Sequence, residues 1–208
     1  GHGRGAVLGI ALSNLLENSG YEVTKEYYVN DAGRQISILT SSILLNAYVE
    51  EFEIEGIYEG NYIHELAKEF VSDQPKINVA IDFKQLSDET EEKLDQVSEY
   101  FQRNHSKHWV TAKDFTVKKI LLLIKNELKS FNIIHDSWFH ESSLGSIQDS
   151  NSSLAKSLSI IKNAGHTYSS EGAIWFKTTE FNDDKDRVLL RENGEPTYYL
   201  TDVGYHKH

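Results

Sequence analysis

The chain begins with Gly1-His2-Gly3-Arg4-Gly5, a composition suited to holding a phosphate group. Glycines let the backbone approach a bound anion closely, and the unpaired N–H groups at the start of a helix attract negative charge. Apolar residues at helical spacing follow directly and predict a helix of about four turns over residues 6–18. A glycine-rich tag remnant or a plain turn before a helix would have the same sequence, so the segment alone leaves these interpretations open.

A second candidate site lies near the other end of the chain, where Tyr198 and Asp202 are four residues apart. Two side chains at this spacing share a face if the segment is helical. A carboxylate accepts two parallel hydrogen bonds from a guanidinium group, and a tyrosine can add a ring face or a hydroxyl. The pair therefore suits a guanidinium ligand, although the same residues are also common on ordinary protein surfaces.

Asn30-Asp31-Ala32-Gly33 has the chemistry of a turn and a helix cap, and Gln35 follows it. Apolar residues at helical spacing from Ile36 to Ala47 predict a second helix after this turn. The segment therefore has a sufficient structural explanation of its own, which does not exclude a place beside a site.

Two groups of possible metal ligands do not match a known metal-binding motif. The aspartates at 183, 184 and 186 lack the glycine and the distal glutamate of a calcium loop, and ion pairs with Lys185 or Arg187 explain them better. The histidine pairs, at 105 and 108 and at 135 and 140, do not form a His-Glu-x-x-His motif and have no cysteines beside them. We predict no protein-bound metal.

The bulk composition excludes several classes of protein. A net charge of −11 disfavours a large nucleic-acid surface, so any such contact should be small and local. There is no cysteine to form disulfides, no apolar run long enough to cross a membrane, and no secretory signal, which together favour a cytoplasmic protein. The chain also lacks methionine, so we expect it to be a fragment of a longer gene product.

The order of the predicted elements indicates three segments. Residues 1–60 give a helix, a strand at Tyr21 to Val29, a turn and a helix, which is part of an α/β layer. Residues 61–165 are mostly helical and polar, as expected for an inserted subdomain. Residues 166–208 are β-rich, with Asn193-Gly194 as a hairpin turn before a strand at Thr197 to Leu200. We expect this last strand and Tyr21 to Val29 to lie in one central sheet.

Three stretches of the sequence, in this order, resemble the arginyl-tRNA synthetases. They are GHGRGAVLG at the start, EYYVNDAGRQI at 26–36, and residues 171–206 with their Trp-Phe hairpin region and Tyr-x-x-x-Asp pair. The family has a His-x-Gly-His motif, of which His2 would be the second histidine, and a Tyr-x-Asn-Asp-Ala-Gly-x-Gln motif. The resemblance implies an α/β fold: an incomplete Rossmann-like class I synthetase catalytic domain with a helical insertion.

The resemblance also implies roles for individual residues. His2 would be catalytic, stabilising charge on the triphosphate, and Gly1, His2 and Gly3 would bind ATP. Tyr198 and Asp202 would bind the arginine side chain. Four residues would shape the site more than react, namely Asn30, Asp31, Gly33 and Gln35.

The implied activity is ATP-dependent activation of arginine and its ligation to the 3′ end of the cognate tRNA. Magnesium would accompany ATP, the other partners would be L-arginine and tRNA, and a monomer is expected. Because the first histidine of the motif and the family's lysine-rich loop are not in the chain, we expect it to be inactive alone. The alternative is a non-catalytic interaction protein derived from the same fold.

Overall fold

The computed structural model describes residues 2–207, without the side chain of His2. Contacts between residues group the chain into two compact units. The first unit comprises Gly1–Glu26 and Asp31–Ser137, and the second comprises Tyr27–Asn30 and Trp138–His208. The second unit is therefore built from two pieces that are far apart in the sequence.

Helices make up most of the first unit. Their bounds are α1 His2–Asn18, α2 Arg34–Tyr48, α3 Asn61–Ser72, α4 Thr90–Asn104 and α5 Ser106–Ser130. Apolar residues at helical spacing predicted α1 and α2, and the chain from α3 to α5 is mostly helical, as expected for residues 61–130. The glycine-rich start differs in one respect, because α1 already includes Gly3 and Gly5 instead of beginning after them.

The core of the first unit is centred on α2. Ile43, Leu44 and Leu45 of this helix have no exposed surface, and α3, α4 and α5 all contact it. Phe70 of α3 and Phe101 of α4 are buried in the same cluster. Burying large apolar side chains is the main stabilising contribution in such a bundle. By contrast, α1 exposes apolar side chains, among them Leu8 at 70% and Leu15 at 67%.

The second unit combines short strands with two helices. Its elements are β1 Glu26–Val29, β2 Ser137–His140, α6 Ser153–Asn163, β3 Thr167–Ser170, β4 Ala173–Phe176, β5 Arg187–Leu190 and α7 Tyr198–Lys207. The first residue of β1, Glu26, is grouped with the first unit. β1 pairs with β2 in one sheet, and β3, β4 and β5 form an antiparallel sheet in that order. Leu144, Leu154, Leu158, Leu189 and Leu200 form the buried cluster.

The expected strand at Thr197 to Leu200 is wrong. Asn193-Gly194 does form the predicted turn, with Gly194 at φ 80°, but pairing stops after a single bridge between Leu190 and Pro196. Proline has no N–H to donate, and only the N–H of Thr197, donating to the carbonyl of Leu189 at 3.0 Å, extends the contact beyond it. The chain turns into α7 instead, which buries Leu200 and Gly204 at helical spacing.

The expectation of one central sheet is wrong for the same segment. Within residues 2–207 the strands form two separate sheets, and Thr197 to Leu200 belongs to neither. The strand expected from Tyr21 to Val29 is also shorter, because only Glu26–Val29 is paired. Tyr21 is 65% exposed, and the N–H of Lys25 donates to the carboxylate of Asp136 at 2.8 Å.

Among the described helices, none combines the length and the apolar character needed to cross a membrane. The division into segments 1–60, 61–165 and 166–208 stays a prediction, since the two units group residues by their contacts alone.

Candidate active site

Tyr198 and Asp202 lie on a helix, as they must if two side chains four residues apart are to share a face. Tyr198 is the first residue of α7 and Asp202 follows one turn later, so both side chains leave the same face. Tyr198 is 66% exposed and Asp202 is exposed as well. Between them Thr201 is buried and donates its hydroxyl to the carbonyl of Tyr198 at 2.9 Å. A polar ligand can therefore reach both side chains.

Three aromatic rings hold α7 against the paired strands of the second unit. Tyr28 of β1 contacts Tyr205 of α7 at 5.0 Å between ring centroids and Phe139 of β2 at 5.7 Å. Phe139 and Tyr205 close the triangle at 4.7 Å. Such aromatic contacts add to the stabilisation from buried area. This three-ring cluster fixes the position of α7, and with it Asp202.

The hydroxyl of Tyr28 lies in an acidic environment. Burial is the largest cause that raises the pKa of Tyr28, and the carboxylates of Glu141 and Asp202 raise this pKa further. Thr201 lies close enough to act on the same group in the opposite direction. The charges of Glu141 and Asp202 therefore both act on the Tyr28 hydroxyl, which makes the two carboxylates candidates for one polar site.

Glu141 is a candidate that the sequence did not reveal. It follows β2 directly and begins a short 3-10 turn, Glu141–Leu144, whose last residue is buried in the second unit. No motif assigned a role to this residue. The available signal was the aromatic run of Trp138 and Phe139 just before Glu141, which is typical of a short strand.

The four residues expected to shape the site are divided between the two units. Asn30 is exposed and belongs to the second unit, with Tyr198 and Asp202. In the first unit, Asp31 is buried at 8% exposure and Gly33 precedes α2 at φ 96°, a backbone conformation that favours glycine. Gln35 accepts a hydrogen bond from the hydroxyl of Tyr58 at 2.8 Å.

Of the residues expected to bind ATP, only Gly3 is fully described by the structure. Gly1 and the side chain of His2 lie outside the described residues. Gly3 lies in the first turn of α1, and a Cβ placed there would meet no atom within 4 Å. The backbone at Gly3 is therefore open to a neighbouring group.

The aspartate cluster forms ion pairs within its loop. Arg187 donates to both carboxylate oxygens of Asp183, at 2.8 and 2.7 Å, and to Asp184 at 2.6 Å. Asp186 accepts from the backbone and hydroxyl of Thr179. The guanidinium of Arg187 is the main cause that holds the pKa of Asp183 well below its usual range. Among residues 2–207, no three His, Asp or Glu side chains are arranged to hold a metal ion.

Comparison with known proteins decides the family. A family model described as "tRNA synthetases class I (R), catalytic domain" matches residues 1–208. The chain belongs to this family. An arginine–tRNA ligase of Legionella pneumophila (strain Corby) is 41% identical to this class I synthetase chain over 225 residues, covering 99% of the chain and 37% of the relative.

Other relatives agree with this assignment. An arginine–tRNA ligase of Psychrobacter arcticus is 36% identical and covers all of the synthetase chain. A crystal structure from Campylobacter jejuni, described as an arginyl-tRNA synthetase, superposes with a TM-score of 0.71 at 33% identity. The match covers 100% of this chain and 40% of the Campylobacter jejuni chain. The predicted α/β class I catalytic fold is confirmed. The chain spans less than half the length of these relatives.

Proposed function

We propose that the protein activates arginine with ATP and ligates it to the 3′ end of its cognate tRNA. The observation that carries this proposal is the position of Asp202, exposed on α7 with Tyr198 on the same face and Glu141 close to the hydroxyl of Tyr28. Membership of the class I synthetase family for arginine supports the same reaction.

The chemistry of these groups fits a guanidinium better than other amino-acid side chains. A guanidinium is a planar cation with five N–H donors, and ionised carboxylates are acceptors only. Asp202 and Glu141 can together neutralise the cation and accept several of its hydrogen bonds, while Tyr198 offers a ring face to it. A lysine ammonium has the same charge, but as a compact point charge it cannot make the planar pair of parallel hydrogen bonds that a guanidinium makes with a carboxylate.

ATP would bind at the start of α1, where Gly1, His2 and Gly3 are the proposed contacts. The positive end of a helix and the open backbone at Gly3 suit a triphosphate. His2 would stabilise the negative charge that develops as pyrophosphate leaves, and donors placed at such a charge are often the largest contribution to catalysis. Magnesium would arrive with the nucleotide as part of the substrate.

Asn30, Asp31, Gly33 and Gln35 would shape the site. The hydrogen bond from Tyr58 to Gln35 and the burial of Asp31 both restrict the movement of this segment, which favours a structural role for it over a reactive one.

Three further proposals concern the whole protein. The tRNA makes only local contacts with this acidic chain, and the protein is a cytoplasmic monomer. Residues 61–165 form the insertion between 1–60 and 166–208.

An aminoacylation assay on the natural full-length protein tests the function. With ATP, magnesium and total tRNA, we expect radiolabelled arginine to be charged and the other amino acids to be ignored. Pyrophosphate exchange, with and without tRNA, would separate activation of arginine from its transfer. Charging of a different amino acid, or no charging at all, would reject the proposal, and the second result would favour a non-catalytic interaction protein.

A further inference from the structure

The hydroxyl of Tyr28 is buried near Glu141 and Thr201, yet it makes no well-formed hydrogen bond with them. Its oxygen is enclosed in the second unit, and within the described residues no hydrogen bond of standard geometry reaches it. Enclosing a hydroxyl without a hydrogen bond costs free energy, so native proteins contain few such groups and each needs an explanation. One explanation is that a bound molecule supplies the missing bond.

The aromatic neighbours of Tyr28 determine where its hydroxyl lies. The three-ring cluster holds the Tyr28 ring against Phe139 and Tyr205. Phe139 stands two residues before Glu141, and Tyr205 stands three residues after Asp202. The ring is therefore fixed beside the two segments that carry the carboxylates, and the charges of both carboxylates act on the phenol.

A phenol can do what neither the carboxylates nor a guanidinium can do. An ionised carboxylate only accepts hydrogen bonds and a guanidinium only donates them, whereas a phenol donates one and accepts others at the same oxygen. Placed beside both kinds of group, it can donate to a carboxylate and accept from an N–H of the cation. Such a bridge fixes the carboxylate in the orientation that the cation needs.

We propose that Tyr28 is a binding residue for arginine, whose hydroxyl donates to the Glu141 carboxylate and accepts a hydrogen bond from the bound guanidinium. This inference rests on the proposed function. In the absence of arginine the accepted bond cannot form, so an acceptor position of the hydroxyl stays unfilled and the bond to Glu141 is not held in its final geometry. The three-ring cluster supplies the rigidity that keeps the hydroxyl in place before the substrate arrives.

The test is Tyr28→Phe in the natural full-length enzyme, which keeps the ring and removes only the hydroxyl. We expect KM for arginine to rise about tenfold, with kcat and the KM for ATP within about twofold of wild type, because the bond is made equally in the ground state and the transition state. A purely structural role would instead disturb the whole unit, so that kcat and the KM for ATP would change together with the KM for arginine.

Tyr199→Phe is the matched control. Tyr199 also lies on α7 and packs its ring against Phe176 at 6.1 Å, so the substitution removes a hydroxyl from the same unit at a different place. We expect a wild-type KM for arginine. Wild-type KM in Tyr28→Phe, or an equal rise in both variants, would overturn the proposal.

Two further outcomes are separable. If the wild-type enzyme charges no arginine, the proposed function fails and the role of Tyr28 fails with it; if the wild type is active and Tyr28→Phe is indistinguishable from it, only the role of Tyr28 fails. Thermal unfolding of each variant shows whether it is folded. Should Tyr28→Phe not fold, Tyr28→His must show a raised KM for arginine at unchanged KM for ATP, and a wild-type KM there would reject the idea.

Discussion

Tyr28 and Tyr205 meet edge to face, with ring centroids 5.0 Å apart and ring planes at 82°. The contact joins β1, near the start of the sequence, to α7 at its end. Since Asp202 lies one turn before Tyr205 on the same helix, the position of the acidic side chain depends on this contact.

Asp202 should be the main selector for the arginine side chain. Asp202→Asn keeps the shape of the side chain and removes its charge, and a site built for a cation then loses its strongest interaction. We expect kcat/KM for arginine to fall at least tenfold, about 1.4 kcal/mol in transition-state free energy, while the KM for ATP stays nearly unchanged. Steady-state aminoacylation by the natural full-length protein measures both.

Asp88→Asn is the control for this change. Asp88 is an exposed residue of the first unit, so the substitution alters the net charge equally without touching α7. It should leave the kinetics of arginine unaffected. An intact kcat/KM for arginine in Asp202→Asn would mean that the guanidinium partner lies elsewhere.

Leu200 should be important for the stability of the second unit. Its side chain has no exposed surface and belongs to the cluster with Leu144, Leu154 and Leu189. Leu200→Ala leaves a cavity there and should lower the free energy of unfolding by about 2–5 kcal/mol. Denaturant unfolding measures this loss. The control is Leu122→Ala, at a leucine that is 53% exposed, which should change the free energy of unfolding by less than about 0.5 kcal/mol. Equal losses in the two variants would refute the packing described for α7.

Gly145 is held in a position that only glycine fits well. Its φ is 76°, and a Cβ there would lie 2.8 Å from the Cβ of Ser152, the residue that caps α6. Gly145→Ala should therefore destabilise the protein by about 2 kcal/mol or more, through backbone strain and a steric clash. Gly165→Ala is the matched comparison, since Gly165 has φ 78° but no atom near its Cβ position. Its cost should be only about 1 kcal/mol, and equal thermal shifts in the two variants would argue against the clash.

His105 should make the first unit sensitive to acid. It joins α4 to α5, its Nε2 is buried without a partner, and burial followed by the charge of His108 lowers its pKa. Below about pH 6.5 the unfolded chain gains a proton at His105 that the folded chain resists. Stability is therefore complete above that pH and is lost as the pH falls below it.

Unfolding midpoints at about pH 7.5 and pH 5.5 test this expectation. His105→Phe keeps an aromatic ring beside Tyr100 and Phe101 and removes the titrating group, so the acid-induced loss should shrink. His64→Gln, at an exposed histidine, should leave the loss as it is. A pH dependence that is the same in His105→Phe and wild type would show that other groups cause it.

The sequence predicted the long helices well because their periodic patterns are local. Residues 106–130 repeat apolar side chains over many turns, and α5 occupies this range. α7 was missed since Thr197, Tyr198 and Tyr199 have high β-propensity in a short segment. The buried set Leu200, Thr201 and Gly204 was the opposing signal, and tertiary packing decided in its favour.

The site was predictable only where it follows from a motif. Tyr198 and Asp202 came from their spacing and the family resemblance. Glu141 did not, because its place beside Tyr28 arises from the pairing of β1 with β2, two four-residue strands that are more than a hundred residues apart. No local pattern encodes such a pairing.

The two-piece construction of the second unit has a consequence for the order of folding. Lys25 and Asp136, which hydrogen-bond beside the strand pair, are 111 residues apart, so closing this contact is entropically costly until the intervening chain is compact. During synthesis β1 emerges on the order of ten seconds before its partner strand. We expect pulse-labelled hydrogen exchange to show α3, α4 and α5 protected before β1; simultaneous protection would exclude this sequence of events. Tyr27 and Tyr28 would then stay unpaired until residues 137–140 have been made.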